Sequence, residues 1–567
     1  MKNFTRFYKP ILLSVCFILL LYITFPSLNP LDNRMFNFHD ITQAGRINEF
    51  VLNLSSGKIP PRLAPEFSFN QGFPLFNFYA PFAYWIAALI YFLGVSVIGS
   101  LKLSFFLAFV LSFFTMLWFL RKLFDFIPSL LGATLYVTST YFATEIMIRG
   151  NLAEVWYLAL LPLVFSLLIT NSKIPTRRNF FLTTIILFFT FTVHNIFSLL
   201  SVLIFIGFAL LLPNKKSNIL AIMLSLLLGS YFLLPALTET SFTQIKSLIK
   251  SYSYQDHFLC AWQLWKSNGW NFGSSLPGCG GDQLSFKLGK LNLILGLLGL
   301  LFLFFRMFIY KHKNTIQKIS LFIGFLFVFS LFLTLSYSNP IWDLFSPVMA
   351  LFQFPWRFLI FGMVGVAFFG AYFFHFIKIP FKNILMIIII IVSFVTARKY
   401  LIKPMYSYAE YNTKYNSNST LTQELAFMMP EYISANTNYG YWSSFDPALP
   451  SSKSINFNYS LPVETKQKII VEKNSHFEKR VSVLNHGKVI VNVQYFPFWK
   501  IYINNKQANI EKFDKLGRPI LQVDKPSTIL IRYEQTPIEK TGNSMTIFGF
   551  LLLFIIVYKR SVYEKII

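Results

Sequence analysis

The residues best suited to chemistry are polar or aromatic side chains that lie at the ends of apolar segments. They are His39, Asp40, Arg149, Glu154, His194, Asn195, Glu239, Trp356 and Arg357. A carboxylate beside a membrane can accept a proton from a hydroxyl group. A guanidinium can bind two oxygens of a phosphate at once. These residue types therefore suit group transfer from a phosphate-bearing lipid to a hydroxyl.

Asp40 is the candidate general base. The alternative is a helix N-cap, because apolar residues at helical spacing within 47–54 predict a helix that begins near Asp40 or Thr42. We expect that helix, residues 41–56, to lie along the membrane interface. The neighbouring His39 is compatible with three roles: a co-base, a ligand of the acceptor, or an aromatic side chain at the interface.

The two arginines are candidates for binding a donor phosphate. Arg149 and Glu154 lie at a junction of apolar segments, where a charge is costly unless it is paired or hydrated. Arg149 is then a phosphate ligand or an interfacial anchor. Arg357 follows Pro355 and Trp356 at the start of an apolar segment. There it would either neutralise a phosphate leaving group or only anchor the helix.

The remaining candidates are substrate-binding residues. His194 and Asn195 lie in the middle of the apolar run 180–212, which is too long for one span and is predicted to form two short helices that turn there. A turn inside an apolar run needs polar residues in any case, so a structural role is the alternative. Glu239 follows Pro235 at the end of an apolar segment, and we expect it to be a second carboxylate in the same cavity.

The composition is that of a membrane protein. Of 567 residues, 54% are hydrophobic and only 13% are charged, whereas soluble proteins carry about 25% charged residues. The formal net charge of +26 comes mainly from short connections between apolar runs. That distribution indicates positive loops that stay in the cytoplasm and gives no support to nucleic acid as a partner.

The apolar pattern predicts about 12 to 13 transmembrane segments, each roughly 17 to 25 residues long. The positive-inside rule holds along the chain if both termini are cytoplasmic and the aromatic segment 76–98 is re-entrant or interfacial. The predicted organisation is a multi-span domain over 1–398, an extracytoplasmic domain over 399–542, and a last helix with a short tail over 543–567. Two long outer loops are expected in the first domain, 27–75 and 238–286.

Residues 399–542 differ from the rest of the chain in composition. The stretch KVIVNVQYF alternates polar and apolar residues, and Asn504–Asn505 lies between two such stretches. Alternation and an Asn-Asn turn predict antiparallel strands, and we expect a small β-sandwich-like domain. In the outer loop 238–286, Cys260 and Cys279 would form a disulfide if the loop faces an oxidising compartment.

Several ordered motifs carry a family resemblance. They are the pair HD, then GKIPPRLAPEFSFNQGFPLFNFYAPFAYW, RGNLAEVWYLALLPLVF, VHNIFSLL, SYFLLPAL, QLWKSNGWNFGSS, QFPWRF and YFPFWKIYINNK. Together the motifs resemble 6-pyruvoyl-tetrahydropterin synthase-related membrane proteins over nearly the whole chain. The soluble pterin enzyme uses a histidine zinc site, and no Cys or His cluster in this sequence has that spacing.

The group in turn resembles the GT-C superfamily of polytopic glycosyltransferases, which includes oligosaccharyltransferases and lipid-A aminoarabinose transferases. The resemblance implies a GT-C-like fold, a polyprenyl-phosphate-linked sugar as donor, and an extracytoplasmic glycan, lipid or protein as acceptor. Asp40 matches the acid of the first outer loop by position, and Glu154 would match the second-loop acid. The first-loop acid follows His39 and is not paired with another acid, which leaves open whether a divalent metal, Mg or Mn, is used.

The leading hypothesis is therefore an inverting, membrane-embedded sugar transferase. Asp40 would deprotonate the acceptor, and Arg149 and Arg357 would stabilise the phosphate. A lipid-linked glycan flippase or exporter would also need many spans and a charged cavity, and a non-catalytic scaffold that binds glycan would need no acid at Asp40. The sequence has no P-loop, which disfavours an ATP-driven pump.

Overall fold

The computed structural model describes residues 4–32, 34–249, 253–267, 269–270, 275–309, 314–406, 427, 429–446, 449–454 and 460–566. The predicted loop 238–286 and the predicted domain 399–542 are thus described in part. Most of the described chain is helical, and the described strands all lie between residues 463 and 533.

The helices follow one another along the first two thirds of the chain and return at its end. The first group is α1 Phe4–Leu28, α2 Gln43–Ser55, α3 Leu75–Phe78, α4 Phe82–Phe92, α5 Val97–Arg121, α6 Phe126–Val137, α7 Thr140–Thr144, α8 Leu152–Lys173, α9 Arg177–Phe191, α10 Asn195–Leu210, α11 Lys215–Leu228, α12 Ser230–Thr238 and α13 Ile245–Ile249. The second is α14 Lys290–Ile309, α15 Thr315–Thr334, α16 Asn339–Leu344, α17 Ser346–Met349, α18 Leu359–Phe376, α19 Lys382–Leu401, α20 Tyr439–Ser443, α21 Pro537–Tyr558 and α22 Arg560–Ile566.

Eight helical segments of the described chain are long and apolar enough to cross a membrane, and α11 with α12, bent by 69°, would make a ninth. The chain is therefore built as a polytopic helical membrane protein. The remainder of the predicted spans, about 12 to 13 in all, stays a prediction, because several of the predicted segments form helices that are shorter than 18 residues. Helices α4, α6 and α10 are apolar but shorter than a full span.

The predicted turn in the run 180–212 is present. Helix α9 ends at Phe191 and α10 begins at Asn195, with His194 as its N-cap residue. Asn195 uses both ends of its amide on the backbone: Oδ1 accepts from the N–H of Ala80 and Nδ2 donates to the carbonyl of Phe78. These two hydrogen bonds hold the short non-helical connection between α3 and α4. Because α4 has 11 residues, it spans about 17 Å, too short for a hydrocarbon core of about 30 Å.

Helix α2 is present over Gln43–Ser55, and its position along the membrane interface stays a prediction. Its polar residues Glu49 and Asn53 are buried with its apolar ones. Asn53 Nδ2 donates to the carbonyl of Leu63 at 2.7 Å, and Glu49 Oε2 accepts from the N–H of Glu66 at 2.9 Å. The polar face of α2 therefore contacts the chain that folds back over it.

Close helix packing forms the core of the membrane region. A Cβ on Gly299 of α14 would lie 2.0 Å from the carbonyl oxygen of Phe369 in α18, and one on Gly296 would lie 2.8 Å from Val366 Cγ1. Small residues at such an interface allow two helix backbones to approach. The same α18 begins at Leu359, so this packing positions the helix that follows Arg357.

The C-terminal β-rich region consists of two antiparallel sheets. Its strands are β1 Val463–Thr465, β2 Ile469–Asn474, β3 Glu478–Val483, β4 Gly487–Val491, β5 Trp499–Ile503, β6 Lys506–Gln507, β7 Ile520–Val523 and β8 Ser527–Tyr533. One sheet has the order β1-β4-β7 and the other β2-β3-β8-β5-β6. Asn504 and Asn505, both with positive φ, form the predicted turn between β5 and β6.

A left-handed turn in the first loop docks this region onto the helices. Ser68, Phe69 and Asn70 have φ values of 55°, 61° and 57°, a conformation that costs L-residues about 1–2 kcal/mol each. The ring of Phe69 is fully buried. Gln494 of the β-rich region donates its N–H to the carbonyl of Gln71 at 3.1 Å and its amide to Ser68 Oγ at 3.3 Å. These contacts stabilise the turn from the β-rich side.

Candidate functional site

Asp40 is held by three side-chain donors. Thr42 Oγ1 donates to its Oδ1 at 2.9 Å, Gln43 Nε2 to its Oδ2 at 2.7 Å, and Arg46 Nη2 to its Oδ1 at 3.1 Å. The carboxylate side chain remains 24% exposed. Asp40 is therefore an oriented carboxyl group with one side open.

Asp40 is not the N-cap residue of α2, so the capping alternative is wrong. The N-cap position of α2 is Thr42, whose side chain makes no capping hydrogen bond. All three described partners of the Asp40 carboxylate are side chains. The carboxylate is thus available for a role other than starting the helix.

Arg46 organises the surroundings of Asp40. Its guanidinium carbon lies 4.2 Å from the centre of the Tyr79 ring, and Nη1 donates to the Tyr84 hydroxyl at 3.2 Å. The Tyr84 hydroxyl donates in turn to Gln43 Oε1 at 2.7 Å. Partial burial raises the pKa of Glu431, which also lies within electrostatic range of Arg46 and Asp40, to about 7. Asp40 thus faces a group of aromatic and titratable side chains.

The main chain joins Asp40 to the Arg149 junction. The N–H of His39 donates to the carbonyl of Ile148 at 2.7 Å, and the N–H of Asp40 donates to the carbonyl of Arg149 at 2.8 Å. Gly150 follows with φ +65°, and a Cβ there would lie 2.1 Å from Phe38 Cδ2. Glycine is needed at this position because both the backbone conformation and the close approach exclude a side chain.

Arg149 is presented by a π-helical turn, Glu145–Arg149. Its Nη1 lies 2.5 Å from Glu145 Oε2 and 2.7 Å from Glu154 Oε2, and its Nη2 lies 2.9 Å from Glu154 Oε1. Both glutamates are fully buried. Asn151 caps α8 and also donates to Glu154 Oε1 at 2.9 Å. Such π-helical turns are frequent at functional sites.

Arg357 and His194 complete this group around Glu154, which we call the Glu154 cluster: Glu145, Arg149, Glu154, His194 and Arg357. Arg357 Nε lies 3.3 Å from Glu154 Oε1, and His194 Nε2 lies 3.6 Å from the same oxygen. Two glutamates face two arginines, so the charges balance when His194 is neutral. A balanced buried cluster costs far less than an unpaired charge.

The two arginines differ in how fully they are engaged. Both ends of the Arg149 guanidinium bind carboxylates. Arg357 Nη1 donates to the carbonyl of Phe352 at 3.0 Å and lies 3.3 Å from Gln353 Oε1. Among the described residues, Arg357 Nη2 has no hydrogen-bond acceptor. Arg357 is therefore the guanidinium better placed to accept a further anion.

Trp356 links the cluster to the loop 238–286. The guanidinium of Arg149 lies 4.7 Å from the centre of the Trp356 ring. Trp356 Nε1 donates to Ser275 Oγ at 3.1 Å, and that hydroxyl lies 2.7 Å from His257 Nδ1. The same loop contains a disulfide that joins the pair singled out in the sequence, Cys260 and Cys279.

Glu239 lies in a different polar group. Its Oε1 accepts from Thr536 Oγ1 at 2.6 Å, and its Oε2 lies 3.5 Å from Asn77 Nδ2. Asn77 also donates to Glu539 at 2.6 Å, and the buried Arg62 donates to Asn77 Oδ1 at 2.8 Å. Burial raises the pKa of Glu239 to about 7. This group ties α12 and α21 to the first loop, and none of these described contacts joins it to Glu154.

The sequence interpretation missed several residues of the site. Arg46 was not singled out, although it lies six residues after Asp40. Glu145 was also missed, although its spacing of four residues from Arg149 places both side chains on one helix face. Tyr79 lies within electrostatic range of both Asp40 and Arg357. Tyr79 belongs to the aromatic segment 76–98, within which the sequence interpretation singled out no individual residue.

A divalent metal does not fit the described donors well. Asp40 already accepts from Arg46, a cation, as well as from Thr42 and Gln43. Within the described residues, no three Asp, Glu, His or Cys side chains form a group that could hold a metal ion. The positive charge beside both acids comes from arginine.

One comparison with known proteins gives a match. A family model described as 6-pyruvoyl-tetrahydropterin synthase related domain, membrane protein, matches residues 76–279. The match includes Glu145, Arg149, Glu154 and His194, and ends before Arg357. No curated protein matches the chain. The resemblance found in the sequence is thus supported over this part of the chain at the level of a membrane protein family.

Proposed function

We propose that this protein is a membrane glycosyltransferase of the GT-C type. It would move a sugar from a polyprenyl-phosphate-linked donor to an acceptor hydroxyl on the extracytoplasmic side. The observation that carries the proposal is the placement of an oriented, partly exposed Asp40 carboxylate whose own N–H is bonded to the carbonyl of Arg149. A carboxylate that can accept a proton therefore lies next to the Glu154 cluster, which contains two arginines.

Asp40 is the general base in this mechanism. Thr42, Gln43 and Arg46 fix its carboxylate, which leaves its open side for the acceptor hydroxyl. The nearby rings of Tyr79 and Tyr84 provide the amphipathic surface that a sugar or a lipid headgroup requires. An oriented base of this kind contributes about 10²- to 10⁴-fold to a rate.

Arg357 is the principal phosphate ligand in this mechanism. Its Nη2 has no hydrogen-bond acceptor among the described residues, and its Nε lies 3.3 Å from Glu154 Oε1. Arg149, bound to two glutamates, contributes positive potential and keeps Glu154 in place. A fixed guanidinium stabilises the charge that develops on a leaving phosphate.

The transfer step is a single displacement with inversion at the anomeric carbon. The acceptor O–H gives its proton to Asp40, and the acceptor oxygen forms the new bond to the anomeric carbon. The bond from that carbon to the phosphate oxygen breaks, and its electron pair leaves with polyprenyl phosphate beside Arg357. One base and one leaving group suffice, so no covalent enzyme intermediate is needed.

The test is sugar transfer by the purified full-length protein. The substrates are polyprenyl-phosphate sugars with labelled sugar groups and a panel of glycan and lipid acceptors. We expect Asp40→Asn to reduce the transfer rate at least about 100-fold while donor binding persists. Asp32→Asn is the matched control, because Asp32 lies in the same loop but pairs with Arg34 at 2.9 Å.

Two outcomes would contradict the proposal. Transfer that is unaffected by Asp40→Asn would remove Asp40 from the mechanism. Movement of labelled lipid across liposomes without a new glycosidic bond would favour a flippase.

A further inference from the structure

A cavity outside the Glu154 cluster lies where the first loop meets the β-rich region. Its volume is about 500 Å³, within the range of roughly 300–1,000 Å³ that is usual for small-molecule sites. Ser56 and Lys58 line it just after α2, Lys473 and His476 line it near the turn between β2 and β3, and Arg532 lines it from β8. Three separate segments of the chain therefore build its wall.

The cavity carries an excess of positive charge. Lys473 Nζ lies 3.0 Å from Glu478 Oε1, and Arg532 Nε lies 2.9 Å from Glu478 Oε2. The single carboxylate of Glu478 thus pairs with two cations, Lys473 and Arg532. Lys58 adds a third positive charge, so the lining holds two more cationic side chains than carboxylates. One further acid, Glu66, lies 3.7 Å from the lining residue His476.

Lys58 lies above an aromatic floor. Its Nζ is 5.4 Å from the centre of the Phe477 ring and 5.8 Å from that of Tyr533. Both rings are buried and lie edge to face, with centroids 5.8 Å apart. Among the described residues, no carboxylate lies within ion-pair distance of Lys58. A ligand anion would therefore meet a cation that has only weak cation–π partners.

We propose that this cavity binds an anionic saccharide, a sugar that carries a carboxylate or phosphoryl group. Lys58 and Arg532 bind the anion, Ser56 offers its hydroxyl to the sugar, and Phe477 with Tyr533 packs against its apolar face. Small-molecule sites commonly combine an aromatic lining with a few converging polar groups in this way. The inference does not depend on the transferase activity, because it concerns binding alone.

Two features favour a saccharide over other anions. The volume of about 500 Å³ and the aromatic floor exceed what a bare phosphate ion requires. The cations also surround a concavity from three segments, whereas the surface of an anionic bilayer is best met by basic residues that lie side by side on an open face.

The experiment is isothermal titration of the purified full-length protein in neutral detergent. The probes are a galacturonate trisaccharide, its neutral methyl ester and mannose 6-phosphate, and inorganic phosphate is the competitor. We expect saturable binding of an acidic probe and none of the methyl ester. The protein is also titrated in nanodiscs of phosphatidylcholine with and without phosphatidylglycerol, to detect occupation by an anionic lipid.

Paired variants separate loss of binding from loss of folding. Lys58→Gln and Ser56→Glu should each raise the dissociation constant about tenfold or more, which is at least about 1.4 kcal/mol. Ser55→Glu adds the same charge at an exposed neighbour outside the cavity, and Lys506→Gln removes an exposed lysine elsewhere in the β-rich region. These two controls should bind like the unchanged protein.

Three results would overturn the proposal. The first is absence of saturable binding for both acidic probes, and the second is affinity that is the same in Lys58→Gln and Ser56→Glu as in the controls. The third is displacement of the acidic probe by inorganic phosphate or by phosphatidylglycerol at equal or lower concentration. That result would assign the cavity to a bare anion or to a lipid headgroup.

Discussion

The N–H of Asp40 donates to the carbonyl oxygen of Arg149 at 2.8 Å. This backbone bond joins the first loop to the π-helical turn that presents Arg149, without using either side chain. The relative position of the acid and the Glu154 cluster is therefore set by main chain. Variants of either side chain can be compared without loss of this bond.

Gly150→Ala should disrupt that connection. A Cβ at Gly150 would lie 2.1 Å from Phe38 Cδ2 at a φ of +65°, whereas Gly57 has a φ of +69° and nothing within 4 Å. Gly57→Ala should cost only the backbone strain, about 1–2 kcal/mol. We expect a larger fall in melting temperature for Gly150→Ala, measured by thermal unfolding in detergent. Equal falls would show that the contact with Phe38 is not tight.

Arg46→Lys should lower the rate of the proposed transfer about tenfold or more. Lysine keeps the charge but cannot at once bind Asp40, stack on Tyr79 and donate to Tyr84, because it lacks the planar fork. The measurement is kcat for sugar transfer by the purified variant. Arg34→Lys is the control, since Arg34 pairs with an acid of the same loop but is 60% exposed. A rate that equals the control would mean that Arg46 does not orient Asp40.

Glu154→Gln should destabilise the protein strongly. Glu154 is fully buried and lies within 3.6 Å of Arg149, Arg357 and His194. Removing one partner of a buried ion pair costs about 3–5 kcal/mol, because the remaining charge is left uncompensated.

The measurement for Glu154→Gln is the melting temperature in detergent, with Glu564→Gln as the control. Glu564 is 58% exposed and pairs with Arg560 at 2.7 Å, so its loss should cost less than about 1 kcal/mol. A melting temperature for Glu154→Gln that is as high as the control's would show that the cluster is not a paired buried group.

Lys479 should make stability depend on pH. Its ammonium is buried, donates to the carbonyl of Asn492 at 3.2 Å, and lies 3.5 Å from the carbonyl of Asn70. Burial lowers the pKa of Lys479 from 10.5 to about 8. Between pH 8 and 10.5 the unfolded chain binds more protons at this residue than the folded chain does, so stability rises with pH across this window.

The comparison is thermal unfolding of the unchanged protein and of Lys479→Met between pH 7 and 10.5. The difference between their melting temperatures should shift in favour of the unchanged protein as pH rises. A difference that stays constant with pH would show that Lys479 titrates normally in the fold. Lys500→Met, a partly exposed site in strand β5 of the same sheet, controls for the loss of a lysine.

Local patterns predicted much of the architecture. The length of the run 180–212 required a turn, and His194 with Asn195 supplied the polar residues for it. Alternating stretches around Asn504–Asn505 indicated the β5–β6 hairpin. Both predictions depend on local properties of the chain, which can be read from a single sequence. The first compares the length of an apolar run with the bilayer thickness, and the second depends on the conformation of a turn.

The sequence by itself determined that the chain is a helical membrane protein with a β-rich region near its C-terminal end. It also marked Arg149 and Arg357 as candidates at the ends of apolar segments. Only the tertiary structure decided the partners of each charge. It brought Arg357 to Glu154 across about 200 residues of chain, and it bonded Glu239 to Thr536 instead. The physical reason is that a buried charge must find its partner in space, and helix packing, which follows from shape and not from spacing, selects that partner.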